Sequence, residues 1–155
     1  MKSDTLEIQF SFLSVTRKGD VKGNLAVNFK TMNYQSEVKV NKLDLTILDP
    51  YFKDLTNYGC FAAKFDADIK SKGNLKDFLS VSNSGLLAIS DFHLGKDSTD
   101  DYASFDKLIF AIKEMNTNQH IYLYDSVTIR HPYIKYERYD KFDNIQTCSV
   151  SADRI

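Results

Sequence analysis

His93, His120 and His131 are the side chains best suited to chemistry at neutral pH, and their spacing leaves them nothing to work with. A metal site or an acid–base pair needs groups that meet, as two histidines do at i and i+4 on a helix. None of the three has such a neighbour. In "DFHLG" the alternation turns His93 away from Phe92 and Leu94, toward solvent. The chain has no H-E-x-x-H, G-x-S-x-G or dinucleotide fingerprint, and "HLGKDS" has Gly-Lys without the upstream glycine of a phosphate loop. Three ordinary strand histidines is the reading that follows.

The acidic stretch "KDSTDDYASFD" invites a calcium reading through Asp97, Asp100, Asp101 and Asp106. It lacks the central glycine and terminal bidentate glutamate of an EF-hand loop, and polar residues gather in hairpin connections anyway. Carboxylate pairs elsewhere sit on strand polar faces or in turns, with no pocket to shift a pKa. Tyr122 and Tyr124, with Tyr133 and Tyr139 nearby, fit half-exposed strand positions better than a stacking platform. Cys60 and Cys148 are not spaced for zinc and read as two buried thiols, a single bridge being the alternative in an oxidising compartment. No enzyme, metal or cofactor is argued by these residues.

Charge narrows the partners. Twenty Lys and Arg stand against 21 Asp and Glu in 155 residues, with no compact basic cluster, which argues against nucleic acid and against an anionic membrane surface. The length fits one domain, residues 1–155, and no apolar run is long enough for a membrane-spanning helix. The opening "MKSDTLEIQF" is not a signal peptide and runs straight into a strand pattern, as an internal module of a larger protein would.

The elements that must position any site have a period of two. "TLEIQFSFLSV" puts Leu6, Ile8, Phe10 and Phe12 on one face. "GNLAVNFKT" does the same with Leu25, Val27 and Phe29, and "CFAAKFDADIKSK" with Phe61, Ala63, Phe65, Ala67 and Ile69. In "SEVKVNKLDLTIL" the parity flips at Asn41-Lys42, as a β-bulge would make it. Further strands are expected in "GLLAISDFHL", "SFDKLIFAIKEM", "HIYLYDSVTIR" and "PYIKYERY", with a long polar loop at "GKDSTDDYA" and a tight turn at Asn116 to Asn118. Two short helices are expected, one from Asp49-Pro50 to about Thr56, the other capped by Asn74 and carrying Leu75, Phe78 and Leu79.

About eight strands, each roughly 30 Å long at some 3.4 Å per residue, would make a sheet about 38 Å wide. Two short helices cannot cover its apolar face. The sheet must fold over as a sandwich, close as a barrel, or stay a curled trough whose floor is covered by a ligand or by further chain.

The stretch "DSVTIRHPYIKYERYDKFDNIQ" resembles a unit that recurs in AsmA-like proteins of Gram-negative envelopes, relatives of TamB. A strand ends in hydrophobic-x-x-Pro, here Ile129 to Pro132; an alternating strand follows with Ile134, Tyr136 and Glu137; a polar turn closes with Asp143, Asn144 and Ile145. "LDLTILDPYFKDL" and "FAAKFDADIKSKGNLKDF…SGLLAISDFHLG" are similar to the family's preceding elements, so the resemblance spans about residues 36 to 146. The chain has no membrane anchor and is shorter than whole members, as an excised internal or C-terminal module would be.

The alternation makes the fold mainly β, with about eight mostly antiparallel strands and two short helices, and the resemblance implies that the sheet is curled into a half-barrel or trough. It implies a non-enzymatic envelope module whose apolar face forms part of a lipid-binding or lipid-transfer groove in outer-membrane biogenesis. The partners would be a phospholipid or other acyl-chain ligand and the remainder of a parent chain anchored to the inner membrane, in the periplasm. Leu25, Val27, Phe29, Phe61, Phe65 and Ile69 are the candidates for the groove floor. The alternative is an interaction module with a sealed core that docks to the rest of its parent protein, and exposed edges also allow an edge-strand dimer.

Overall fold

The computed structural model describes residues 4–13, 19–48, 60–97, 99–138, 140 and 143. Among the described residues there are eight strands: β1 (Thr5–Leu13), β2 (Asp20–Asn28), β3 (Asn33–Asp44), β4 (Cys60–Asn74), β5 (Asp77–Asp97), β6 (Asp100–Asn116), β7 (Ile121–Arg130) and β8 (Tyr133–Ile134). They make one antiparallel sheet in the order β1 to β7, with β8 beside β6, and the sheet is not closed into a barrel. From β1 to β7 each alternating stretch thus pairs with its neighbour in sequence, the arrangement with the shortest connections, and only β8 skips a strand.

What sets the strand ends is a set of Asn and Asp side chains at the last strand position. Asn28 closes β2, and its Oδ1 accepts the N–H groups of Lys30 and Thr31 at 3.0 and 2.9 Å. Asn116 closes β6 and accepts from the Gln119 N–H at 3.0 Å. Asp97 closes β5, where its Oδ1 accepts from the Thr99 N–H and hydroxyl and the Asp100 N–H. Each carbonyl or carboxylate oxygen mimics a backbone acceptor two or three residues back, which turns the chain at once.

Asn74 corrects the second expected helix. Its Oδ1 accepts from the Lys76 N–H at 2.9 Å, and its Nδ2 donates to Thr31 O and Asn33 Oδ1. Leu75 and Lys76 are therefore a hairpin turn, and the residues beyond join β5 instead of coiling. The same residue type would cap a helix, but here cross-strand partners at Thr31 and Asn33 claim the amide. The first expected helix, about 50–56, lies outside the described residues.

Other boundaries shift for local reasons. β3 stops at Asp44 rather than at Ile47, because Asp44 Oδ1 accepts from the Thr46 N–H and hydroxyl and starts a 3-10 turn, Leu45–Leu48. The expected long loop at "GKDSTDDYA" is a tight turn held by Asp97, with strand on both sides. The parity change at Asn41-Lys42 is real: Lys42 has φ 46°, and its N–H goes to Asp66 Oδ1 at 2.9 Å.

The final expected strand, "PYIKYERY", is reduced to Tyr133–Ile134. His131 is left-handed at φ 47° and Pro132 has no N–H, so β7 breaks there. The chain then resumes along β6 with Ala103 opposite Ile134, Ser104 opposite Tyr133, and the Lys135 N–H donating to Tyr102 O at 2.8 Å. β6 begins at Asp100, so its partner runs out soon after.

The chain divides into two compact units, one of Met1–Leu43, Phe65–Ala88 and Ile109–Thr128, the other of Asp44–Lys64, Ile89–Leu108 and Ile129–Ile155. Among the described residues only Val27, Ala63, Ala88 and Ile112 are buried apolar side chains, and no large side chain is fully buried. The first unit holds three of these and the second holds Ala63. Such a core is thin for the described residues, and most of their apolar strand side chains are left at least partly open.

Candidate functional site

The β1–β2–β3 register builds one face row by row. Leu6 stands opposite Val27 and Val27 opposite Tyr34; Ile8 opposite Leu25; Phe10 opposite Gly23 and Gly23 opposite Val38; Phe12 opposite Val21 and Val21 opposite Val40. Directly opposed residues in an antiparallel pair leave the sheet on the same side, so these side chains form an apolar patch, continuous over β1 and β2 and interrupted on β3 by Ser36, which stands opposite Leu25. The reverse side carries Glu7, Gln9, Lys22, Asn24, Glu37 and Lys39.

Ion pairs extend the assignment to β4. Lys39 meets Asp68 at 3.1 Å and Lys70 meets Glu37 at 3.2 Å, so Asp68 and Lys70 share the polar side. The alternate residues Phe65, Ala67 and Ile69 then share the apolar side with Val38 and Val40. A one-residue slip would exchange the two faces, and the charged pairs oppose it.

The patch is open at its β1 end. Leu6 and Ile8 are each 43% exposed and Phe12 is 65% exposed, whereas Val27, between Leu6 and Tyr34, is only 6% exposed. The Phe10 ring covers Gly23, where any Cβ would collide with it, and packs on Phe12 at 5.7 Å between centroids. Glycine here lets the tip of the aromatic ring come down onto the backbone of the neighbouring strand.

The six residues expected to form the floor separate. Leu25, Val27, Phe65 and Ile69 belong to the first unit and to this face, with Val27 buried within it. Phe29 follows β2, exposed, its N–H donating to Asp4 O at 2.9 Å. Phe61 belongs to the second unit, where its ring meets Phe92 edge-on at 6.1 Å, and Phe92 stacks on Phe105 at 4.5 Å.

The expectation also passed over Leu6, Ile8 and Phe12 as floor residues. Their pattern is as regular as that of β2, but alternation alone does not tell an edge strand from a central one.

The polar side has a different character. A cavity of about 710 Å3 opens there at the turn end of the first unit, lined by Asn28, Asn33, Gln35, Lys72, Asn74 and Ser82 among others. Several of these amides already serve the hairpin turns described above.

The remaining candidate chemistry is occupied locally. His93 Nδ1 lies 2.9 Å from Asp101 Oδ2, and His131 Nδ1 2.5 Å from Asp106 Oδ2, both on the surface. Lys135 bridges Asp100 and Glu137, and the hydrogen bond to Asp100, seconded by that to Glu137, holds its ammonium well above the ordinary lysine range. The Tyr136 hydroxyl is raised by desolvation and by Asp143, to which it donates at 3.2 Å. Hydrogen bonds from the Thr99 hydroxyl and N–H hold Asp97 below the usual carboxylate range.

Among the described residues no three His, Cys, Asp or Glu side chains are placed to hold a metal ion, and no helix is long and apolar enough to cross a membrane. Cys60 is exposed rather than buried, and Cys148 and Tyr139 lie outside the described residues. In comparisons with known proteins, no family model, no curated protein and no solved structure matches this chain.

Proposed function

We propose that this chain is a non-enzymatic β-module that contacts acyl chains through the apolar face of its β1–β4 region, as part of a lipid-binding or lipid-transfer groove. The observation that carries the reading is the row of half-exposed Leu6, Ile8 and Phe12 on one face of a sheet whose other face is organised by ion pairs. An apolar patch that remains open after folding is surface left for a partner.

The energetics suit a lipid. Burying an acyl chain returns about 0.8 kcal/mol per methylene, so ten methylenes give about 8 kcal/mol before the cost of ordering the chain. Net affinity is then micromolar or weaker, which suits a surface that passes lipid on. On this reading the module would work in the periplasm, within a parent chain anchored to the inner membrane and serving outer-membrane biogenesis, a reading that rests on the resemblance of residues 36 to 146 to AsmA-like proteins. The alternative docking module calls for a sealed core, whereas among the described residues the buried apolar side chains are Val27, Ala63, Ala88 and Ile112, which favours the open-face reading.

Titration with a fluorescent fatty acid, competed by phospholipid, tests the proposal. Ile8→Glu places a charge in the middle of the patch and is expected to weaken binding at least tenfold. Lys22→Gln on the opposite side should leave it unchanged. Equal effects from both substitutions, or no saturable binding, would refute it.

A further inference from the structure

The β1 strand has one described neighbour, β2, so its other edge carries outward-facing backbone groups. The bond from the Phe29 N–H to Asp4 O fixes which groups those are. Hydrogen-bonded and non-hydrogen-bonded positions alternate along an antiparallel pair, so Leu6, Ile8, Phe10 and Phe12 bond to β2. Glu7, Gln9 and Ser11 therefore direct their N–H and C=O groups outward, away from the sheet.

Edges that stay alone in solution are usually defended by lysine, proline, bulges or inward-pointing charge. β7 has such features: Asp125, Arg130, the left-handed His131 and then Pro132. β1, "TLEIQFSFL", has none of them, and its single charge is Glu7. Across the described length of β1 every residue but Phe10 is exposed, Leu6 and Ile8 by about half.

We propose that β1 pairs with β1 of a second copy of this chain, antiparallel about a two-fold axis through Gln9. The strand is complementary to itself in that register. Ile8 falls opposite Phe10 of the second copy, Leu6 opposite Phe12, and Glu7 opposite Ser11, so apolar meets apolar and no like charges oppose each other. The two-fold axis stands perpendicular to the sheet, which keeps both apolar faces on the same side and joins them. A β1-to-β7 pairing would instead repeat from copy to copy without closing, and β7 is the defended edge.

The inference is independent of the acyl-chain reading, since edge pairing uses backbone groups in the plane of the sheet and leaves its faces free. Sedimentation equilibrium of the 155-residue chain should show a concentration-dependent dimer. Gln9→Glu would bring four carboxylates together at the axis and is expected to raise the dimer dissociation constant at least tenfold, with partial recovery in high salt as the repulsion is screened.

The register has its own test in a chain carrying Cys60→Ser and Cys148→Ser. There Gln9→Cys should be captured as a dimer by a short thiol–thiol cross-linker. Leu13→Cys should not, because its two copies would lie about 27 Å apart at 3.4 Å per residue. A monomer at every concentration, masses growing beyond the dimer, or capture at Leu13→Cys but not Gln9→Cys would each overturn the proposal. If Gln9→Glu fails to fold, the cross-linking pair decides.

Discussion

The ring of Phe10 lies on the backbone of Gly23, one strand away, in the space a β-carbon there would take. That contact depends on a single missing side chain, and it makes the position sensitive to any enlargement.

Gly23→Ala should destabilise the fold by about 1–3 kcal/mol, the usual cost of forcing a methyl group into a filled site. Urea unfolding followed by circular dichroism should show a lower midpoint with an unchanged slope. An unaltered midpoint would mean that Phe10 is free to leave Gly23.

Asn74 makes three hydrogen bonds that close β4 and tie the turn to Thr31 and Asn33. Its replacement by alanine should cost about 1–3 kcal/mol, since net values run near 1 kcal/mol per bond. Asn74→Asp keeps the acceptor for the Lys76 N–H but sets a carboxylate oxygen where the amide donated to Thr31 O and Asn33 Oδ1, so it should not restore wild-type stability at neutral pH. An alanine variant as stable as wild type would argue that a helix or loop can replace the turn.

Asp97 predicts a dependence on acid. Its carboxyl is held low by the Thr99 hydroxyl first and by backbone N–H groups after that. A carboxylate whose folded pKa lies below its unfolded value contributes stability above the unfolded pKa of about 3.9, and that contribution is lost as pH falls through the folded value. Carboxyl-carbon NMR should place the Asp97 midpoint below the ordinary aspartate value. Asp97→Asn, which keeps the acceptor oxygen, should flatten the acid limb of the stability profile; an unchanged limb would remove Asp97 from the account.

These turns show how far the sequence could be read. Alternation located all eight strands, and even the bulge at Lys42, because a strand with one buried face must repeat every two residues. It failed where one residue type serves two geometries. Asn74 and Asp44 cap helices or turns according to which N–H groups reach them, and at Asn74 those groups belong to a hairpin that pairs across the sheet.

The face was legible for the same reason as the strands. Leu25, Val27, Phe65 and Ile69 do share a side, since parity survives from strand to strand once the register is set. Exposure was not legible. Val27 is covered by Leu6 and Tyr34 while Leu6 stays half open, a difference that comes from rank in the sheet, and β1 ranks last.

The most direct test of the central claim is photo-cross-linking with a phospholipid that carries a photoreactive acyl chain, followed by peptide mapping. The account predicts label on Leu6, Ile8, Phe12 and Leu25, and none on Gln9, Lys22 or Lys39. Label concentrated on the polar face, or spread evenly over both, would contradict it.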